Sequence, residues 1–123
     1  MEMNSFTIQE MRSITDERGR ICILDKEMPF AAKRCFWILN ADDLTRGGHR
    51  HHVTRQALVA LNGRVDVYMN NGKTERTVCL DDPARFLVVE PEDWHTMKFG
   101  PGAVLLVLAS HEYDPNDYIY TPY

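Results

Sequence analysis

Two histidines one residue apart, His49 and His51, close the segment Arg46-Gly47-Gly48-His49-Arg50-His51, and a third, His95, follows the run Pro91-Glu92-Asp93-Trp94 well downstream. An imidazole with an ordinary pKa of about 6.5 can take up and return a proton at neutral pH, and as the neutral base it can also ligate a transition metal. On an extended strand side chains alternate between faces, so His49 and His51 point one way while Arg50 and His52 point the other. The pair supports three readings: proton transfer beside a carbonyl, with one ring donating and the other accepting; an open metal site completed by His95; or a hydrogen-bonded polar patch without chemistry. Two arginines add an anion-binding element. Arg46 directly precedes the glycines, and Arg18 lies in Asp16-Glu17-Arg18-Gly19, an early turn. A guanidinium facing a cavity would bind phosphate oxygens through paired N–H donors, whereas one facing solvent would be an ordinary surface charge.

Such groups need strands to hold them. Short runs with β-branched or aromatic content recur between turn residues at 6–8, 21–25, 34–39, 57–61, 64–69, 75–80, 85–89, 95–99 and 103–110, the pattern of an antiparallel sandwich or barrel. Asn71-Gly72 accepts the positive φ angles of a tight hairpin turn, and Asn62-Gly63 and Gly100-Pro101-Gly102 punctuate the chain in the same way. Nothing argues for a long helix, a repeat or a linker, so residues 1–123 are expected to form one domain. The fold class is all-β: a cupin or jelly-roll barrel of antiparallel strands, which manages its edges by folding them around an internal cavity. The tail from Tyr113 to Tyr123 carries four tyrosines and is expected to pack across the body as an arm. Metal-binding barrels of this kind resemble His-x-His followed four or five residues later by a glutamate. Those positions hold Arg55 and Gln56, a cation and a poor ligand, which moves the expectation from metal ligation toward proton transfer with no metal or other cofactor.

A chain that is 44% hydrophobic and 26% charged can build an ordinary core. Its net charge of −4 offers no general attraction to nucleic acid or an anionic membrane, although a few local arginines could still hold one phosphorylated ligand. No apolar run approaches the roughly 20 residues that span a bilayer, and the beginning Met1-Glu2-Met3-Asn4 lacks the basic and apolar segments of a leader. The expectation is a cytoplasmic protein with no nucleic-acid or membrane partner. Cys22, Cys35 and Cys79 are odd in number and widely spaced, and are expected to be buried, inert thiols.

Taken together, Asp16-Glu17-Arg18-Gly19, Pro29-Phe30, Lys33-Arg34, Arg46-Gly47-Gly48-His49-Arg50-His51, Gln56, Leu61-Asn62-Gly63, Trp94-His95, the run from Leu106 to Ser110, Tyr113-Asp114 and Asp117-Tyr118-Ile119 resemble one family. It is that of the dTDP-4-oxo-6-deoxyhexose 3,4-ketoisomerases, the WxcM-like sugar-nucleotide cupins. The resemblance implies a metal-free homodimeric cupin that interconverts 4-keto and 3-keto forms of a dTDP-linked 6-deoxy sugar through an enediol. Such a reaction supplies deoxyaminosugars for surface polysaccharide or antibiotic glycosides. Carried over by position, His49 and His51 are the acid/base candidates. Arg46 and Arg18 would hold the diphosphate, and His95, Trp37 and Gln56 would complete the substrate pocket. The chain departs from the family on the preceding strand. Several tyrosines are common there, but this chain reads Cys35-Phe36-Trp37-Ile38-Leu39, and phenylalanine and leucine cannot donate a proton. A cupin that binds a sugar nucleotide without turning it over, or a metal-dependent cupin enzyme, are the alternative readings.

Overall fold

The computed structural model describes residues 6–123. The strands, in chain order, are β1 Ile8–Glu10, β2 Arg12–Asp16, β3 Gly19–Ile23, β4 Arg34–Ile38, β5 Thr45–His51, β6 Gln56–Asn62, β7 Val65–Asn70, β8 Glu75–Leu80, β9 Arg85–Val89, β10 Trp94–Phe99, β11 Val104–Ala109 and β12 Tyr118–Ile119. A single 3-10 turn, Pro115–Asp117, is the only helical element among the described residues. Two five-stranded sheets face each other in the orders β1-β9-β6-β11-β4 and β12-β5-β10-β7-β8, while β2 and β3 pair, among the described residues, only with each other. Every strand pairing is antiparallel. The expected jelly roll is therefore the fold observed. The strands at 75–80 and 85–89 fall where alternation placed them. Neither β2 nor β5 coincides with one of the expected β-branched or aromatic runs, and β12 turns part of the expected tail arm into a true strand.

The space between the sheets is filled by alternating apolar side chains. Leu58, Val65, Val67, Met69, Leu87, Phe99, Leu105 and Val107 are among the buried members, and fully burying a side chain of this size contributes roughly 1.5–3 kcal/mol. The sheet containing β6 and β9 is apolar on its outer face as well. Ala57, Val59, Phe86 and Val88 are buried there against Met11, Cys22, Leu24, Met28 and Phe30 from the N-terminal segment. This explains why β6 and β9 read as continuous apolar runs without strict alternation. The cysteines differ from expectation. Cys22 is partly buried, and Cys35 and Cys79 are exposed, because Cys35 shares the outward face of β4 with Trp37 and Cys79 stands opposite Asp66 on the outer side of its sheet.

One local irregularity positions the site. Strand β10 pairs with β5 so that His95 faces His49, but the register then jumps by one residue, bringing Thr96 opposite Gly47 and Met97 opposite Arg46. Gly48 is the extra residue of this β-bulge, and Gly47 and Gly48 both take positive φ angles, 92° and 84°. Residues directly opposite one another in an antiparallel pair share a face. The bulge therefore turns Arg46 inward beside Met97 while His49 remains inward beside His95. Without it, strict alternation would place Arg46, three residues from His49, on the opposite face.

The two glycines are constrained differently. A Cβ at Gly47 would stand 2.9 Å from the His95 carbonyl oxygen, whereas one at Gly48 would meet nothing within 4 Å. Replacing Gly48 by alanine should cost only the left-handed backbone penalty, about 1–2 kcal/mol. Gly47→Ala should cost at least about 1 kcal/mol more, because the backbone of β10 must also shift. Urea unfolding of the two variants checks this, and equal midpoints would contradict it.

Candidate active site

His49, His51 and His95 meet at one end of the space between the sheets. Their ring centroids lie 4.9 Å apart for His49 and His51, 4.9 Å for His49 and His95, and 6.0 Å for His51 and His95. Strand β5 supplies the first two at alternate positions and β10 supplies the third from the neighbouring strand. His51 and His95 are each only 1% exposed. The cavity at this point, roughly 190 Å³, is lined by Phe36, Ile38, Arg46, Gly47, His49, Gln56, His95, Met97, Val107 and Tyr118. Phe36, Ile38, Met97 and Val107 give it an apolar side, and its polar groups converge on a small volume, the usual make-up of a small-molecule site.

Burial sets the charge state of the imidazoles. Taking a cationic ring out of water is unfavourable, and desolvation lowers His49 and His51 to about 4. Like-charge repulsion between the rings and the nearby Arg34 add to the effect. His95 is also lowered to about 4, chiefly by burial and then by His49. All three are neutral at physiological pH and available as proton acceptors. His95 Nδ1 lies 3.1 Å from the Asp93 carbonyl oxygen. A carbonyl only accepts, so Nδ1 carries the hydrogen and Nε2 carries the lone pair. Both ring nitrogens of His51 are buried without a protein hydrogen-bond partner among the described residues. An unpaired buried imidazole costs stability, and the cost is understandable if those nitrogens serve a ligand.

The C-terminal tail completes the site. Tyr118 pairs with His51 as β12 adds to the edge of β5, and its ring centroid is 4.8 Å from those of both His49 and His51. Asp117, one residue earlier, anchors the tail. It accepts hydrogen bonds from the Val53 amide at 2.8 Å and from the Thr54 hydroxyl. Burial opposes ionisation of this carboxyl, but those hydrogen bonds hold its pKa below the ordinary value. On the outer face, Arg50 donates to the Thr121 carbonyl and to the Tyr123 hydroxyl, and Tyr123 donates to the Glu92 carbonyl. The expected arm is thus a strap whose inner residue is a phenol.

The structure brings together His49, His51, His95, Arg46 and Gln56. It does not bring in Trp37 or Arg18 within the chain. Phe36 and Ile38 occupy the inward positions of β4, so alternation turns Trp37 outward, where it is 60% exposed. Arg18 sits at the tip of the β2–β3 hairpin, paired with Asp16 at 2.7 Å, beside a separate surface hollow. Arg55 also stays out of the cavity. It forms a two-pronged pair with Glu90, at 2.7 and 3.0 Å, and donates to the Pro29 carbonyl. Gln56, by contrast, lines the cavity. A larger surface hollow of roughly 680 Å³, bordered by Lys33, His111, Tyr113 and Asp114, contains none of the three clustered imidazoles.

Sequence reasoning missed two inward groups, Tyr118 and Arg34. Tyr118 was hidden because a two-residue strand leaves no periodicity to read. Arg34 was legible in principle, since it shares the parity of Phe36 and Ile38 on β4.

Known proteins of similar sequence and fold identify the chain's relatives. The family profile described as FdtA, WxcM-like, C-terminal matches residues 4–123. The TDP-4-oxo-6-deoxy-alpha-D-glucose-3,4-oxoisomerase of Aneurinibacillus thermoaerophilus is 38% identical over 112 residues, which span 88% of this chain and 81% of that protein. The solved structure of QdtA, a sugar 3,4-ketoisomerase from Thermoanaerobacterium thermosaccharolyticum in complex with TDP, superposes with a TM-score of 0.91 at 35% identity, covering 97% of this chain and 90% of the other. A histidine-to-asparagine variant of the same enzyme, in complex with TDP-4-keto-6-deoxyglucose, matches equally well, with a TM-score of 0.91. The WlaRB TDP-quinovose 3,4-ketoisomerase from Campylobacter jejuni also gives a TM-score of 0.91, at 37% identity over 97% of this chain and 95% of that one. With its buried histidine cluster built on the same barrel, the chain belongs to the FdtA, WxcM-like family of sugar-nucleotide 3,4-ketoisomerases.

Proposed function

We propose that this chain interconverts the 4-keto and 3-keto forms of a dTDP-linked 6-deoxyhexose, with His49 and His51 moving the protons. The carrying observation is the gathering of three imidazoles, neutral at physiological pH, and one phenol: His49, His95 and Tyr118 line a single cavity, and His51 packs against the rings of His49 and Tyr118. The C4 carbonyl acidifies the proton on C3. One of the two imidazoles removes that proton as O4 receives another, and a C3–C4 enediol forms. O3 then gives up its proton while C4 takes one, leaving the ketone at C3 and the alcohol at C4. C3 is oxidised as C4 is reduced, so no external oxidant enters. Positioned proton transfer contributes roughly 10²- to 10⁴-fold to each such step. Arg46, turned inward by the bulge and solvent-exposed at the cavity mouth, is assigned to the diphosphate. Gln56 and His95 are assigned to the sugar.

The phenol that the family carries on the preceding strand is missing here, where Phe36 lines the cavity. Tyr118 supplies one from the opposite side, against both catalytic rings. It makes no side-chain hydrogen bond within the described residues, so its hydroxyl is open to a sugar oxygen. The binding-only reading rested on the absence of such a donor.

The working unit is assigned as a homodimer. The apolar outer face of the β6–β9 sheet is covered by the N-terminal segment only in part. It continues over edge strand β4, where Trp37 stands opposite Leu106, and Trp37 and Leu39 are 60% and 49% exposed. A second copy placed there would bury them. The β2–β3 hairpin, which pairs with no other strand among the described residues, would then be placed to carry Arg18 to the neighbouring pocket.

Incubation with dTDP-4-keto-6-deoxyglucose in D₂O should place deuterium in the sugar ring. His49→Asn and His51→Asn should each reduce exchange by about 10²-fold or more, and Tyr118→Phe should reduce it by about tenfold or more. Wild-type exchange in both histidine variants would remove the assignment.

A base with a pKa of about 4 loses function only as it becomes protonated. kcat/KM should therefore stay level from about pH 8 to about pH 5 and fall as the pH drops through about 4. Half-loss at the ordinary imidazole value of about 6.5 would show that the rings are not desolvated in solution.

Light scattering should give the mass of two chains for the wild type and one for Trp37→Asp. A monomeric wild type would refute the dimer, and a monomeric variant with undiminished TDP affinity would remove Arg18 from the site.

A further inference from the structure

Arg34 opens β4 on the same face as Phe36 and Ile38, at the end of the strand that pairs with Ala109. Its charge is close enough to both His49 and His51 to disfavour their protonation. Yet its guanidinium has no carboxylate partner and no side-chain hydrogen bond among the described residues, and its Nε is buried and unpaired. The cation is held by two aromatic faces instead, with Cζ 5.1 Å from the centroid of Phe36 and 5.8 Å from that of Tyr113. Ring faces stabilise a cation without using its N–H groups, so the donors stay free. A half-buried cation with no anionic partner among the described residues is costly. That cost would be repaid by an anionic oxygen arriving with the substrate.

Two oxygens of the substrate could serve, and the surroundings favour one of them. Arg46 already stands at the cavity mouth, where a diphosphate would enter. Arg34 lies over the ring of Phe36, which lines the cavity, and its charge acts on both His49 and His51, so it is the cation placed for the carbonyl oxygen that gathers negative charge as the C3 proton leaves. We propose that Arg34 binds the developing enediolate oxygen and stabilises the transition state for enolisation, rather than anchoring the nucleotide. The inference rests on the ketoisomerase reading and adds to it the electrostatic component that neutral histidines cannot supply. A fixed donor aimed at developing charge is typically worth about 10²- to 10³-fold in kcat.

The test compares wild type, Arg34→Gln and Arg34→Lys, with circular dichroism to confirm the fold. TDP binding is measured by calorimetry, and deuterium incorporation is measured at saturating dTDP-4-keto-6-deoxyglucose. Arg34→Gln should lose about 10²-fold or more in kcat while binding TDP within about twofold of wild type, since TDP contains the diphosphate but no sugar. Arg34→Lys, which keeps a cation, should recover part of the loss. The acid limb of the Arg34→Gln pH profile should also move to higher pH, because a charge that disfavours protonation of both histidines has been removed. Unchanged kcat in Arg34→Gln would overturn the proposal. So would a large loss of TDP affinity with saturated turnover intact, which would make Arg34 a diphosphate ligand. Absence of exchange in the wild type would instead overturn the ketoisomerase reading itself.

Discussion

Desolvation of three imidazoles in one small space is the constraint on which the rest of this structure depends. A histidine exposed to water is partly protonated near neutrality, and three of them within 6.0 Å of one another would repel. Enclosed by Met97, Ile38, Val107 and Phe36, they become neutral, can pack edge to face, and are ready to accept protons. Each surrounding feature maintains that enclosure. The bulge at Gly47-Gly48 keeps His49 and His51 on the inner face while turning Arg46 to join them. The β10 pairing sets His95 opposite His49. The strap anchored by Asp117 closes the edge of β5 and lays Tyr118 over the rings.

The same arrangement divides the charges. In the proposed assignment the imidazoles that move protons are uncharged, whereas the fixed positive charge belongs to arginines. An enolisation site needs both a neutral base for the carbon-bound proton and a fixed positive field for the oxygen that becomes negative. The apolar burden of the fold is concentrated on the opposite sheet, whose strands β6 and β9 are buried on both faces. That sheet serves as a rigid backing, and its uncovered margin at Trp37 is where a second subunit would complete the layer.

Much of this was legible in the residues. Alternation paired His49 with His51 and sent Arg50 and His52 outward. Turn chemistry at Asn71-Gly72 marked the hairpin between β7 and β8, and apolar runs located most of the barrel strands. What escaped depended on tertiary context. Whether Phe36 or Trp37 faced the cavity required the parity of β4 relative to the barrel, and within the chain Phe36 lines the cavity while Trp37 points away from it. The thiols of Cys35 and Cys79 followed outward positions that composition does not reveal. A conserved period of two would also have predicted Arg46 on the far face from His49, and only the double-glycine bulge reverses that. Tyr118 reached the site through a two-residue strand whose partner lies far away in sequence.

The central claim concerns the charge of the buried rings, and nuclear magnetic resonance of protein carrying ¹⁵N-labelled histidine measures it directly. The resonances of His49, His51 and His95 should keep the signature of neutral imidazole from about pH 8 down to about pH 5, with His95 as the Nδ1–H tautomer. Protonation of these three rings at the ordinary value of about 6.5 would contradict the account, because it would mean that the cavity does not exclude water in the way the structure requires.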